Sequence, residues 1–498
     1  MKQLIIGVDA TGYRFRGDGT DSNILKIFRM LDSEAICQRC HYQPGFGTYP
    51  SSSLLARNPG RVRAWELKAR DAAVGSSVAQ HVMAAYRFLS GGGYVALLVA
   101  EMLDHIGLLG AGNEALIQLA WQLFARWKMR CTSRDTGKRE EQYSTMKAFR
   151  ETFCRPLAQI RFLGLFDAVN SIPCIEVRRN KLQFPYTTCT TAKVLRHAVS
   201  IDERRIRFRN ELLSDWHPRA RSRTAQLHGW LLRHRLHTNR EKGCRFSWRD
   251  RGKRGAHQII SQECGGPDTL YRPSSRHGTS AEDGDGAEDA DQDVDEVWFP
   301  GNHPDVGGGM QLSENEDWPL SHVPLVWMVH EAQRAGLTFD LDKLVEFNCA
   351  DASTLQANNN TTGQHGSEDG INSRFEHALR SASTHSQLHD SLRYRHGVPW
   401  PEVLSWRMLE FLPFRRMDLR QDQYWEPVRW PLPRGETRNI PQEANIHASA
   451  IRRMEADSMY RPENLVDIEK KSREKVPPKL EVCSHQGCPV RETYRRKY

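Results

Sequence analysis

Three apolar runs of strand length each end on a polar side chain: LIIGVD over 4–9, IRFLGLFD over 160–167 and VWFPGNH over 297–303. Between and beyond them lie segments whose apolar residues recur at helical spacing, such as SSVAQHVMAAYRFL at 76–89 and PLVWMVHEAQRAG at 324–336. Short apolar strands alternating with helices restrict the chain to a mostly parallel sheet with helices on its faces. In open sheets of this kind functional side chains gather just beyond the carboxyl ends of the strands. Asp167 and His303 stand at such ends.

The 498 residues allow one large domain with insertions, or two to three domains. The apolar share of 39% is low for a fully packed chain, so part of it is expected to lie outside the core. The net charge of +9 is unevenly spread: 204–254 is arginine-rich and 281–296 is almost all acid. That pairing fits a solvated insertion better than a binding face, and no nucleic acid partner is expected. The opening run is a strand and not a secretory signal, and no run is long enough to span a bilayer. Eleven scattered cysteines fit a reducing compartment, so the expected location is cytoplasmic. Cys37 to His41 has the C-x-x-C-H spacing of haem attachment without a secretory context. Cys483, His485 and Cys488 make half a zinc set in a charged tail. Neither is taken as a cofactor or metal site.

The expected organisation has six parts. Residues 1–215 form the N-terminal part of the α/β core, and 216–295 a disordered insertion, basic and then acidic. Residues 296–349 return to the core and carry His303. A polar linker covers 350–385, a Trp- and Arg-rich cap or extension 386–465, and a charged, loose tail 466–498. IDERRIRFRNELL at 201–213 is read as helical. The tryptophans of 400–431 are expected to be buried in a cap or core satellite, with a lipid-facing lid as the alternative.

Ser90 precedes Gly91, Gly92 and Gly93. From these neighbours alone it is either a nucleophile at a sharp turn or a plain turn residue, because the full elbow pattern is G-x-S-x-G and Phe88 occupies the first glycine position. The chain order Ser90, Asp167, His303 is that of α/β-hydrolases. In that chemistry an imidazole takes the serine proton, a carboxylate orients the imidazole, and backbone N–H groups hold the oxyanion. Gly91 would supply one such N–H, and Ala10 or Thr11, after the first strand, the other.

The sequence resembles the uncharacterised α/β-hydrolase family, abundant in fungi, whose bacterial relatives are type VI secretion phospholipase effectors. The matching segments are GVDATGYRFRGDGTDSNILKI, YQPGFGTY, AEMLDHIGLLGAGNEALIQLAWQLF, IRFLGLFDAVNSIP, HAVSIDERRIRFR, VWFPGNHPDVGGG, IHASAIRRM and YRPENL. The family nucleophile motif G-F-S-R-G-A-Y aligns with Phe88 to Tyr94, so that Ser90, Gly92 and Tyr94 agree. The family acid aligns with Asp167 and the family histidine with His303, with Asp305 kept beside it and Asp9 kept in the opening motif. The resemblance implies an α/β-hydrolase-like sheet and a serine hydrolase of carboxylester or phospholipid ester bonds that needs no cofactor or metal. It also implies a small-molecule or lipid ester substrate and peripheral membrane contact. Two departures stand out. The strand that precedes the nucleophile in the family is shortened or missing before Ser90, and Ala10 replaces a glycine of the opening motif. They leave open the alternative of an inactive member that acts as a binding protein or has no function.

Overall fold

The computed structural model describes residues 3–9, 15–32, 35, 38–43, 93–129, 136–155, 159–169, 187–188, 190, 192–209, 212–213, 292–314, 316–351, 354, 368–414, 416–419, 425–465, 467–468, 475–476 and 479–497. Strand β1 (Gln3–Val8) pairs in parallel with β2 (Gln38–Gln43) as a two-stranded sheet of their own. Helix α1 (Asn23–Met30) lies between them in sequence and starts on Ser22, whose Oγ accepts from the Leu25 N–H at 3.2 Å.

The main sheet is built on β3 (Phe162–Phe166), β4 (Val194–Ser200), β5 (Asp293–Phe299) and β6 (Asn445–His447), all mutually parallel. A hairpin of β7 (Leu480–Ser484) and β8 (Thr493–Arg496) extends it antiparallel through β8. The order is β7-β8-β6-β5-β4-β3. Phe166 pairs with Ala198, and Ser200 with Phe299, so three strands reach one rim in register. Residues 167, 201 and 300 follow directly from that rim.

Helix α2 (Gly93–Ile106) packs with α3 (Ile117–Met129) and α4 (Thr136–Phe153) around Met102, Ile106, Phe124 and Met146. At its other contact Leu97 joins Leu165 and Leu195 of the sheet and Ala168 just past β3. After β5 comes the short α5 (His303–Gly307) and then α6 (His322–Arg334), apolar nearly all round and therefore central. Trp327 and Val326 of α6 cluster with Phe166, Ala198, Val297 and Phe299, and with Leu344 of α7 (Leu341–Glu346) and Phe375 of α8 (Glu368–Thr384). On the opposite face Val199 and Trp298 cluster with Ile446 and with Met454 of α10 (Ala448–Ala456). Successive strand residues thus feed two cores, and helices cover both faces of a mostly parallel sheet. Each fully buried large side chain of these cores contributes about 1.5–3 kcal/mol.

Several expectations change, the polar linker over 350–385 among them, since Glu368–Thr384 forms α8 and its Phe375 lies in the core. Residues 201–209 and 212–213 are not a helix. They hold one 3-10 turn at Ile206–Phe208 and a two-residue strand at Leu212–Leu213. Local ion pairs and distant acceptors hold it in place of a helical ladder: Arg205 pairs with Glu203 at 2.8 Å, and the Ile206 N–H donates to Glu410 at 2.7 Å. The 386–465 segment, expected as a cap or extension, also contributes β6 to the main sheet. The tail is charged yet includes a hairpin hydrogen-bonded to that sheet, with Val490 and Thr493 buried. Of the expected insertion 216–295, residues 216–291 lie outside the described residues, and its end falls in the core instead, because β5 begins at Asp293.

Candidate active site

Asp167 follows β3 directly and is fully buried. Its φ of 42° is in the left-handed region, where a non-glycine residue needs support. Support comes from both sides. The Asp167 N–H donates to Ala198 O at 2.6 Å, and the Ala168 N–H donates to His197 Nε2 at 2.9 Å. His197 therefore carries its proton on Nδ1, which donates to the buried Glu296 at 2.9 Å. The carboxylate is oriented as tightly as the backbone. Oδ1 accepts from the Ser200 N–H at 2.9 Å and from Arg438 Nη1 at 2.6 Å. Oδ2 accepts from Arg438 Nη2 at 2.9 Å and from His303 Nδ1 at 2.8 Å. Burial pushes this carboxyl up, but the Arg438 charge and the hydrogen bonds from His303 and Arg438 outweigh it and hold Asp167 well below the usual carboxylate range.

His303 opens α5, two residues after Gly301. Gly301 has φ +100°, and a Cβ there would come within 2.4 Å of the Asp305 Cβ, so the turn needs glycine. The His303 N–H donates to Glu203 Oε2 at 3.1 Å. Burial raises the Glu203 carboxyl and the Arg205 charge more than offsets it, so it sits below its ordinary value. With Nδ1 committed to Asp167, Nε2 of His303 is the nitrogen left for chemistry, and it has no hydrogen-bond partner among the described residues. Phe208 lies beside the imidazole, with ring centroids 4.8 Å apart. Arg205 stacks over the Phe208 ring at 3.8 Å and over Trp406 at 4.8 Å, and Trp406 belongs to α9 (Trp400–Leu409).

The structure thus brings together Asp167 and His303, which lie 136 positions apart in sequence. Asp305 plays another part. It accepts from the Asn302 N–H at 3.0 Å and from His389 Nδ1 at 2.6 Å, and so fastens the start of α5 to the 386–465 segment. Asp9 ends β1 and accepts from the hydroxyls of Ser22 and Tyr42, each at 2.6 Å. Ser22 also bridges to Gly308, which ties Asp9 to the helix that carries His303. Ser90, Gly91, Ala10 and Thr11 lie outside the described residues. Sequence reasoning passed over Arg438, Glu203, His197 and Glu296. A signal existed for the last two, since charged or titratable residues inside apolar strand runs must find buried partners. Arg438, in the loop sequence RGETRNIP, carried none.

Among the described residues no group of three or more His, Cys, Asp or Glu side chains converges to hold a metal ion. No described helix is long and apolar enough to cross a membrane.

Comparison with known proteins gives three similarities. An uncharacterized protein of Saccharomyces cerevisiae is 26% identical over 567 residues, covering 93% of this chain and 80% of the yeast protein. A crystal structure of an uncharacterized protein from Pseudomonas aeruginosa is 17% identical with a TM-score of 0.29, and covers 76% of this chain and 52% of that one. The family model of the T6SS phospholipase effector Tle1-like catalytic domain matches residues 2–331, and the chain belongs to that family.

Proposed function

We propose that the chain is a serine hydrolase of α/β-hydrolase fold that cleaves carboxylester bonds of lipids, with Ser90, His303 and Asp167 as its triad. The observation that carries this reading is the Asp167–His303 pair at the rim of the parallel sheet, with the imidazole oriented through Nδ1 and Nε2 left over. In this reading the Ser90 hydroxyl attacks the ester carbonyl while Nε2 takes its proton, and Asp167 stabilises the imidazolium. The N–H groups of Gly91 and of Ala10 or Thr11 hold the oxyanion. The proton then passes from Nε2 to the leaving alcohol, and water repeats the cycle on the acyl-enzyme.

Helix α2, which Ser90 precedes in the sequence, is oriented in keeping with this reading. Leu97, in its first half, clusters with Ala168, the neighbour of Asp167. Asp104, near its far end, accepts from Thr190 at 3.3 Å, four residues before β4 begins. The helix therefore runs antiparallel to the strands, and its amino end faces the rim that carries Asp167. Ser90 lies three residues before that end.

The family name speaks of phospholipase effectors, which supports lipid esters as the substrate class. Peripheral contact with a lipid surface is the matching partner. In its support, α9 and the turn after it expose Trp400, Leu404, Met408 and Phe411, spaced so as to share one helical face, and Trp400 is 68% exposed. Trp406 of the same helix packs toward His303 through Phe208.

A second reading, an inactive member of the family, draws on the sequence: Phe88 stands at the first glycine position of the nucleophile motif, and Ala10 replaces a glycine of the opening motif. Fatty-acid release from a panel of phospholipid and neutral lipid esters decides between the two. The hydrolase reading predicts release by the wild type that His303→Ala abolishes. Equal background release from both proteins would favour the inactive member.

A further inference from the structure

We propose that Arg438 is a positioning residue of the Asp167–His303 pair, supplied by the part of the chain beyond residues 2–331. Its guanidinium fork turns the Asp167 carboxylate so that Oδ2 faces the imidazole. This deepens the hydrolase reading and rests on it for its catalytic meaning.

The geometry is specific. Arg438 is 1% exposed and meets both carboxylate oxygens, Nη1 on Oδ1 at 2.6 Å and Nη2 on Oδ2 at 2.9 Å. Among the described residues it supplies two of the four hydrogen bonds that the Asp167 carboxylate accepts, the others coming from the Ser200 N–H and His303 Nδ1. Nη1 also donates to the Ser200 carbonyl at 3.1 Å and its hydroxyl at 2.8 Å, and Nη2 to the Phe208 carbonyl. The fork thus spans the end of β4, the segment beside His303 and the carboxylate between them. A lysine offers one point charge where this site uses a planar fork.

The anchoring is equally firm. The Arg438 carbonyl accepts from Asn464 Nδ2 at 3.0 Å, and Ile440, two residues on, is buried with Val199, Ile201 and Trp298. Stability alone does not account for the arrangement. Arg438 Nε is buried with no partner, and buried ion pairs often contribute no more than an apolar replacement would. What the arginine does achieve is to keep a buried carboxylate charged and aimed.

The charged and titratable groups around Asp167 are His303 and Arg438 in contact, Glu203 with Arg205 beyond His303, and His197 with Glu296 behind Ala168. Arg438 is the only cation in hydrogen-bond contact with Asp167 among the described residues, apart from His303 when protonated. Its removal leaves burial as the dominant influence, which drives the carboxyl upward.

The test uses the full chain with Arg438→Met and Arg438→Lys. The first readout is the Asp167 carboxyl titration by 13C NMR, assigned by its loss in Asp167→Asn. Arg438→Met should raise that midpoint by about 2 pH units, and Arg438→Lys should leave it low. The second readout is the rate of fluorophosphonate labelling at Ser90. It should fall roughly 10²-fold in Arg438→Met, with its acid limb moved to higher pH, and fall less in Arg438→Lys. If Arg438→Met does not fold, Arg438→Lys decides: slower labelling with a low carboxyl midpoint is expected. An unmoved midpoint in folded Arg438→Met, or wild-type labelling in Arg438→Lys, would overturn the proposal. Absence of labelling in the wild type would instead overturn the hydrolase reading, while the carboxyl titration still judges Arg438.

Discussion

Asp167 is held by opposing forces. Its left-handed backbone and its complete burial both cost free energy, and its hydrogen bonds and the Arg438 charge offset them. Replacing it by Asn keeps the shape and removes the charge that stabilises an imidazolium. Asp167→Asn is therefore expected to slow Ser90 labelling by up to ~10⁴-fold, with the fold retained by circular dichroism. Gly301→Ala acts differently. The new Cβ meets Asp305 at φ +100°, so it should destabilise the protein by about 1–3 kcal/mol in urea unfolding. Asp167 and His303 were legible in the sequence because each closes an apolar run, and register carries both to one rim. Arg438 was not legible, because nothing local marks a loop arginine that reaches a carboxylate 271 positions away.

The strands and the central helix follow directly from apolar patterning, whereas the polar segments do not. Residues 201–213 carry helical spacing, yet Glu203 and Arg205 pair with each other, and the Ile206 N–H bonds a carboxylate from beyond α9. Tertiary partners outweighed a weak local preference there. The tail misled for a related reason. Its charges are partly inward, with Glu492 buried and Arg491 reaching Glu331, and composition cannot separate such an edge hairpin from a loose end. Glu331 of α6 shows how such elements are joined: it binds Arg196 of β4 at 2.6 Å and Arg491 of the tail at 3.0 Å. Glu331→Ala leaves Arg196 buried beside one remaining carboxylate, and should cost about 3–5 kcal/mol of stability, read as a lower urea midpoint. The exposed face of α9 belongs to the same scale. Trp400→Ser, Leu404→Ser and Met408→Ser together should weaken cosedimentation with phospholipid vesicles and leave thermal unfolding unchanged, since these side chains lie at the surface. Undiminished cosedimentation would remove α9 from the membrane-contact reading.

At the scale of the whole molecule, the polar interior sets a pH dependence. Burial pushes His322 and His447 down to about 3. Both stay neutral in the folded chain while the unfolded chain protonates near its ordinary value of about 6.5. Stability is thus complete above that value and declines as pH falls toward 3. These two residues together should account for about 3–4 kcal/mol of lost stability between pH 7 and pH 5, measured as a fall in the urea unfolding free energy. His322→Phe should reduce that slope. The α/β class of the molecule was legible from its first three apolar runs, because a parallel sheet needs continuous apolar strands covered on both faces. How the C-terminal part enters the core was not, since β6 is only three residues long. The central claim concerns an activated serine beside the Asp167–His303 pair, and fluorophosphonate labelling of the full chain, mapped by mass spectrometry, tests it without any guess at the substrate. The account predicts a label on Ser90 that is lost in Ser90→Ala and strongly slowed in His303→Ala. A folded chain that takes no label, or takes it equally without His303, would contradict it.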